Sequence, residues 1–196
     1  VGAWACLFLA MLAKENALVF ALMLPLALTT FYRKSWGESI GLSMPFLGAV
    51  GLYFALRYAF VGGIAAETNP DIMENPFVQA SASQKFGTIG VILLYYVQLL
   101  VLPTSFSCDY SFNQIPYTSL LQPISLLGWG LYAAAGLFAL KAVANRQIYG
   151  YAIFLFMLPL GMTSNIFINI GAPMGERFAY MASLGYAMGV AAVLVS

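Results

Sequence analysis

The sequence predicts an all-α, polytopic integral membrane protein, because it is rich in apolar residues and its few charges lie between apolar stretches. Of its 196 residues, 62% are hydrophobic and only 8% are charged, and the mean hydropathy is +0.86. A soluble domain carries about 25% charged residues, so a chain with this composition could not cover its surface for water. Lipid is the solvent that suits such a surface.

The apolar stretches have the lengths of helices that cross or partly cross a bilayer, a crossing that needs roughly 20 apolar residues. Charged or Pro/Gly-rich segments separate them, and Pro25, Pro45 and Pro159 lie inside three of them. We expect about five spans or partial spans plus a juxtamembrane helix. The stretches, in chain order, are 1–13, 17–32, 40–60, 86–102, 123–140, 148–163 and 178–196.

The first and last apolar stretches both lack a polar flank. Residues 1–13 are short for a span, and the basic segment and cleavage site of a signal peptide are missing. The run 178–196 also stops without a polar flank. We therefore expect residues 1–196 to form a single membrane domain that is incomplete at both ends, with the remainder of its own polypeptide as a partner.

The basic residues predict which ends of the helices face the cytoplasm. Short turns rich in Lys and Arg stay on the cytoplasmic side. Two turns fit this rule, one at Arg33 and Lys34 and the other at Lys141 and Arg146, and neither contains a carboxylate. The segments on the opposite, outer side are then 14–16, 62–85 and 164–177.

The stretch 86–102 does not fit a simple alternation of spans. If it crossed the bilayer, Lys141 would lie on the wrong face for the distribution of basic residues. We therefore predict that 86–102 lies at the interface or dips in and returns, a depth that suits its Tyr95 and Tyr96 pair. Residues 61–122 would then form one large outer elaboration.

Several kinds of chemistry are excluded by residue counts. The chain has no histidine, which removes His-based zinc sites and catalysis that depends on an imidazole base. Its two cysteines, Cys6 and Cys108, are too few for a disulfide framework or a Cys-based metal site, so we expect no metal site. A net charge of +1 provides no basic field for nucleic acid.

Three charged clusters are candidates for function, since charge near hydrocarbon is expensive and usually serves a purpose. All of them fall on the predicted outer side. The first is Lys14-Glu15-Asn16, between two apolar stretches. It is either an ordinary turn whose lysine extends to the interface, or a lysine that its carboxylate neighbour holds near a phosphate.

The second cluster is Glu176-Arg177, with Tyr180 one helical turn further on. One interpretation is an ion pair at the start of a helix, where a carboxylate suits the positive end of the helix dipole. The other is that the guanidinium of Arg177 binds a phosphate through two parallel hydrogen bonds, which a lysine does less well.

The third cluster is Asp109, which is the only charged residue between Lys85 and Lys141, together with Arg57 at the outer end of its apolar stretch. Asp109 caps a short helix, pairs with Arg57, or lies in an active cleft where it touches the acceptor or the sugar. It is the candidate for a catalytic residue within this chain.

Four stretches combine these clusters with particular neighbours: Ala-Lys-Glu-Asn at 13–16; Leu-Arg-Tyr at 56–58 with Asn-Pro at 75–76; Leu-Pro at 102–103 with Cys-Asp-Tyr-Ser at 108–111 and Ile-Pro at 115–116; and Ser-Asn-Ile-Phe at 164–167 with Gly171, Glu-Arg-Phe-Ala-Tyr at 176–180 and Ser-Leu-Gly at 183–185. In these stretches the chain resembles the membrane region of the O-mannosyltransferases that carry many transmembrane helices followed by tetratricopeptide repeats. More widely, it resembles the GT-C superfamily of polyprenyl-phosphate-sugar-dependent glycosyltransferases. The loop pattern around Asp109, combined with 176–180, is the most specific part.

The resemblance implies a GT-C-like helical bundle in the bacterial inner membrane or the endoplasmic reticulum membrane, with its active side periplasmic or lumenal. Such enzymes carry catalytic carboxylates in the first outer loop, and nothing in this sequence matches that loop. The resemblance therefore implies the later half of the membrane domain, with the catalytic base before residue 1 and N-terminal spans and C-terminal repeats elsewhere in the polypeptide. It implies no cofactor beyond the donor substrate, a polyprenyl-phosphate sugar, and its partners are membrane lipid and an acceptor protein.

The resemblance also implies roles for the outer charges. Negative charge grows on the departing lipid phosphate when a Ser or Thr hydroxyl attacks the sugar, and fixed cations stabilise that transition state. The residues implied to bind the phosphate are Arg177 first, Lys14 second and Arg57 third, and those implied to orient them are Glu15, Glu176 and Tyr180.

Two other functions remain open on the residues alone. A transporter or channel subunit would explain the prolines inside apolar stretches, although the ionisable residues lie at the ends of those stretches and not at their centres. A catalytically silent membrane component of a larger assembly is the second alternative. Paired carboxylates in the first outer loop of the full-length protein would favour the transferase.

Overall fold

A computed structural model describes residues 2–62, 77–104, 106–107, 110, 114–166 and 170–195. Within these residues the structure is helical and contains no strand, which confirms the prediction of an all-α protein. The α-helices in chain order are α1 (Gly2–Ala13), α2 (Leu18–Thr30), α3 (Trp36–Val61), α4 (Ala82–Val101), α5 (Pro123–Ala144), α6 (Ile148–Thr163) and α7 (Ala179–Val195). Two short 3₁₀ helices, Glu15–Ala17 and Glu176–Phe178, lead into α2 and α7.

Four helical segments of the described chain are long and apolar enough to cross a membrane, namely α3, α4, α5 and 176–195. The remaining helical segments are apolar but shorter. This pattern confirms a polytopic membrane bundle with full and partial spans. Since α4 also has the length of a span, the interfacial placement of 86–102 and the outer elaboration 61–122 stay predictions.

Two helices begin earlier than their apolar stretches because capping boxes start them. The Ser35 hydroxyl accepts a hydrogen bond from the Glu38 N–H, and the Glu38 carboxylate accepts one from the Ser35 N–H. Ser81 and Gln84 form the same pair before α4. Reciprocal bonds of this kind satisfy two backbone donors that a helix start leaves unpaired. The polar residues before positions 40 and 86, which composition assigns to loops, therefore belong to the first turns of α3 and α4.

The bundle consists of two groups of helices that meet at α2 and α6. In the first group, α1, α2 and α3 pack against one another, and in the second, α6 packs against α5 and α7. The contact between the groups buries Val19 and Met23 of α2 against Leu155 of α6. The groups therefore form one continuous bundle within the described residues.

The contacts at the two ends of the bundle establish which turns lie together. Phe31, after α2, makes an edge-on ring contact with Tyr151 in the first turn of α6, at 4.9 Å between centroids. The turn at Arg33 therefore lies near the start of α6, as does the turn at Arg146. We call this the basic end of the bundle, defined by Arg33, Lys34, Lys141 and Arg146.

The opposite end holds the candidate functional residues. Arg57, near the end of α3, forms an ion pair with Glu15, after α1. Because α2 runs antiparallel to α6, the start of α2 and the end of α6 also lie away from the basic end. We call this the site end, defined by 14–17, Arg57 and 164–178. Its assignment to the outer side of the membrane stays a prediction.

The helices α4 and α5 cross at two glycines. A Cβ atom at Gly90 would lie 2.8 Å from the Ser125 carbonyl oxygen, and one at Gly128 would fall on the carbonyl group of Gly90. The Trp129 indole N–H, one residue further along α5, donates to the Phe86 carbonyl at 2.8 Å. Small residues permit this close approach, which is how helices associate where lipid removes the hydrophobic drive.

We expect Gly128→Ala to destabilise the protein by about 1–3 kcal/mol, because the added methyl group meets backbone atoms that cannot move aside. Gly130→Ala is the matched control, since a Cβ at Gly130 meets no atom within 4 Å. The measurement is the midpoint of thermal unfolding in detergent, and equal midpoints for the two variants would contradict the crossing.

Candidate lipid-phosphate site

The first candidate cluster forms an ion pair that sequence analysis did not anticipate. Arg57 Nη1 lies 2.8 Å from Glu15 Oε2, with the two side chains 22% and 50% exposed, and Arg57 also donates to the Tyr53 hydroxyl at 3.2 Å. Pairs this exposed contribute about 0–1 kcal/mol of stability. The pair is therefore better suited to holding Arg57 in place than to stabilising the fold.

Lys14 lies directly before the 3₁₀ turn that carries Glu15, and its side chain is exposed. The carboxylate of Glu15 is directed to Arg57, and no side-chain bond joins Lys14 to Glu15 within the described part of the chain. Lys14 therefore remains available at the site end, and its predicted binding of a phosphate stays a prediction.

Glu176 binds a distant segment of the chain. Its Oε1 atom accepts a hydrogen bond from the Ser107 N–H at 2.7 Å and a longer one from the Tyr110 hydroxyl at 3.4 Å. Burial, together with the charge and hydrogen bond of Glu176, raises the pKa of Tyr110. Glu176 therefore ties the chain after α4 to the turn before α7.

Arg177 is the accessible cation of the second cluster. Its side chain is exposed, and its Cζ atom lies 5.2 Å from the centroid of the Phe178 ring, a contact typical of a cation–π interaction. Arg177 and Glu176 form no ion pair, so the ion pair suggested for a helix start is not present. The N–H fork of Arg177 is consequently available to bind an anion.

Tyr180 lies in the first turn of α7 and is 82% exposed. Its backbone carbonyl accepts a hydrogen bond from the Ser183 hydroxyl at 2.7 Å. The phenol makes no hydrogen bond to Glu176 or Arg177, so an orienting role for Tyr180 stays a prediction.

Asp109 and Cys108 lie outside the described residues. Ser107 and Tyr110, which flank them in the sequence, both bond to Glu176. In the described ranges there is no group of three side chains that could hold a metal ion.

Two polar residues to which sequence analysis gave no role in the site form its framework. Asn165 is 0% exposed and adopts a left-handed conformation with φ of 60°. Its Oδ1 accepts from the Ile170 N–H at 2.7 Å, and its Nδ2 donates to the Ala172 carbonyl at 2.9 Å. The amide therefore closes the turn between α6 and Glu176. An asparagine inside an apolar region was the available signal.

Tyr96 is the second such residue, and it is buried within the bundle, while its depth in the membrane stays a prediction. Its side chain is 0% exposed, whereas Tyr95 is 38% exposed. Adjacent helical residues point about 100° apart, so only one of the two tyrosines can face the interior. The Tyr96 hydroxyl bonds to the backbone of Gly175, which directly precedes Glu176.

The comparisons with known proteins reveal distant similarity to two enzymes. The chain is 25% identical to Protein O-mannosyl-transferase Tmtc3 of Drosophila melanogaster over 125 residues, which is 60% of the chain and 13% of that protein. It is 28% identical to Protein O-mannosyl-transferase TMTC1 of Mus musculus over 109 residues, 52% of the chain and 12% of that protein. The chain thus spans about an eighth of each relative. No family model and no solved structure matches it.

We expect Asn165→Asp to destabilise the turn between α6 and α7, because a carboxylate cannot donate to the Ala172 carbonyl and would be buried with charge. Loss of a buried donor costs about 1–3 kcal/mol, which lowers the thermal midpoint of a domain this size by roughly 2–4 °C per kcal/mol. Asn145→Asp is the control, since Asn145 is exposed at the basic end. A midpoint that Asn165→Asp does not lower would show that the amide does not hold the turn.

Proposed function

We propose that this chain is part of a GT-C-type glycosyltransferase that moves a hexose, mannose first among the candidates, from a polyprenyl phosphate to a protein hydroxyl. The observation that carries the proposal is the similarity to two protein O-mannosyltransferases. The resemblance of 13–16 and 176–180 to the membrane region of such enzymes supports it. The membrane would be the endoplasmic reticulum or bacterial inner membrane, with the site end periplasmic or lumenal.

An apolar groove supports the lipid part of the proposal. It has a volume of about 670 Å³ and runs between α5, α6 and α7, with the end of α4 along it. Among the described residues, no charged side chain lines it, and Val97, Phe138, Phe156 and Val193 represent the four helices that contribute to it. A polyprenyl tail is a flexible hydrocarbon, so it can pack along this apolar lining by van der Waals contact without leaving apolar surroundings.

The position of this groove relative to Arg177 suits a donor with a lipid tail and a charged headgroup. Val97 lines the groove, and the adjacent Tyr96 bonds to Gly175, two residues before Arg177. The groove extends from Val97 and Gly185 to Tyr149 and Leu194 near the basic end. A polyprenyl chain that leaves the groove past Val97 and Gly185 would direct its phosphate toward the site end, since Gly185 lies about two helical turns beyond Arg177 in α7.

The chemistry follows from where charge develops. A carboxylate from another part of the polypeptide would take the proton of the acceptor hydroxyl as its oxygen attacks the anomeric carbon. The bond between that carbon and the phosphate oxygen breaks, and the phosphate leaves with an additional negative charge. Arg177 would stabilise this charge through two parallel hydrogen bonds, with Lys14 and Arg57 adding positive potential at the same end.

We expect Arg177→Ala in the full-length protein to lower sugar transfer by about 100-fold or more, the usual effect of removing a donor that stabilises developing negative charge. Arg177→Lys should give an intermediate rate, because the charge remains while the fork is lost. The measurement is transfer of labelled mannose from polyprenyl-phosphate mannose to an acceptor protein in membranes.

Arg146→Ala is the matched control, because Arg146 is an exposed arginine at the basic end. It should leave transfer unchanged, and both variants should insert into the membrane as the native protein does. Unchanged transfer with Arg177→Ala would remove Arg177 from the site.

A further inference from the structure

One tyrosine hydroxyl satisfies both polar backbone atoms of the residue that precedes the candidate site. The Tyr96 O–H donates to the Gly175 carbonyl at 3.3 Å and accepts from the Gly175 N–H at 3.2 Å. Tyr96 lies in an apolar cluster with Ile92, Leu160 and Met174. In such surroundings a backbone group without a partner is costly, and the hydroxyl supplies the acceptor for the Gly175 N–H and one donor to its carbonyl.

Gly175 also determines where the side chains of the next turn lie. Its carbonyl accepts the Phe178 N–H at 3.0 Å, which closes the 3₁₀ turn that carries Glu176 and Arg177. Its Cα faces the Phe178 ring so closely that an added Cβ would lie 3.0 Å from the ring carbon Cε2. A displacement of Gly175 would therefore move both the turn and the Phe178 ring.

The Phe178 ring in turn supports the guanidinium of Arg177, whose Cζ atom lies 5.2 Å from the ring centroid. A chain of contacts thus runs from the Tyr96 hydroxyl to the Gly175 backbone, then to the Phe178 ring and finally to Arg177. Each of these contacts joins residues that the structure describes, and none requires a bound ligand.

We propose that Tyr96 is a positioning residue for Arg177: its hydroxyl holds the Gly175 backbone so that the turn presents the guanidinium to the donor phosphate. This role rests on the proposed function, in which Arg177 binds the donor phosphate. Tyr96 does not touch the donor. It acts through the turn, so its loss should weaken donor binding only while Arg177 is present.

The test compares Tyr96→Phe with Tyr132→Phe in the full-length protein. Both changes remove a single oxygen from a buried tyrosine of the same apolar cluster. The Tyr132 hydroxyl has no hydrogen-bond partner among the described residues, so its removal should be silent. The pair separates the loss of the Gly175 bonds from the loss of a hydroxyl as such.

The first measurement is hydrogen–deuterium exchange of the backbone amides at 174–178. We expect Tyr96→Phe to accelerate exchange of the Gly175 amide by about tenfold, which corresponds to the loss of hydrogen bonds of ordinary strength. Tyr132→Phe should leave the rate unchanged. A Gly175 amide that exchanges at the native rate in Tyr96→Phe would overturn the proposal, whatever the activity.

The second measurement is the Kd for polyprenyl-phosphate mannose in phosphatidylcholine vesicles, with the polyprenyl alcohol of the same length as the probe without phosphate. We expect Tyr96→Phe to raise the Kd for the phosphate donor by about tenfold and to leave binding of the alcohol unchanged. In an Arg177→Ala background, Tyr96→Phe should have no further effect, since coupled residues are not additive. Additive effects would mean that Tyr96 is only structural, and would overturn the positioning role.

A different result would overturn the proposed function itself. If the native protein binds the phosphate donor no better than the alcohol, the transferase proposal is wrong, and the positioning role is overturned with it. Faster exchange at Gly175 in Tyr96→Phe would then still establish the bond between α4 and the turn before α7.

Discussion

A buried polar group without a hydrogen-bond partner costs about 1–3 kcal/mol, and this constraint governs the parts of the chain that are not regular helix. Buried hydroxyls follow the same rule: the Thr29 and Thr163 hydroxyls donate to the Pro25 and Pro159 carbonyls, one helical turn earlier, at 2.9 and 3.1 Å. The non-helical turn after α6 obeys the same constraint, through the Asn165 amide. An irregular turn inside a membrane protein is thus possible only where side chains supply its missing partners.

The positions of those side chains depend in turn on close contacts between helices. Gly90 and Gly128 permit α4 to cross α5 in backbone contact, and Gly185 permits α7 to lie against α6, where an added Cβ would be 2.6 Å from the Ala152 carbonyl oxygen. These contacts bring α4 to the end of the bundle at which α7 begins. A bulkier residue at one of these glycines would separate the helices and remove Tyr96 from the reach of Gly175.

The two features that support the proposed transferase have opposite chemistry and are connected through α4. An apolar groove suits a lipid tail, whereas the exposed guanidinium of Arg177 suits a phosphate. The end of α4 belongs to both, since Val97 lines the groove and Tyr96 supports the turn before Arg177. A substrate that is itself divided into a hydrocarbon chain and a charged headgroup fits this division of the protein.

The sequence by itself determined that this is a helical membrane protein and where several helices lie, because apolar runs and prolines act locally. The stretch 148–163 has the same bounds as α6, and α5 begins at Pro123 as predicted. The starts of α3 and α4 were placed too late, since the Ser and Glu or Gln of a capping box resemble loop residues when composition alone is considered.

Charge identified Glu15, Arg57, Glu176 and Arg177, but not their contacts. Only the tertiary structure decided that Glu15 meets Arg57, that Glu176 meets Ser107, and that Tyr96 is buried against Gly175. These pairs are separated by 42, 69 and 79 positions, and such contacts depend on how whole helices pack, which no local pattern of residues contains.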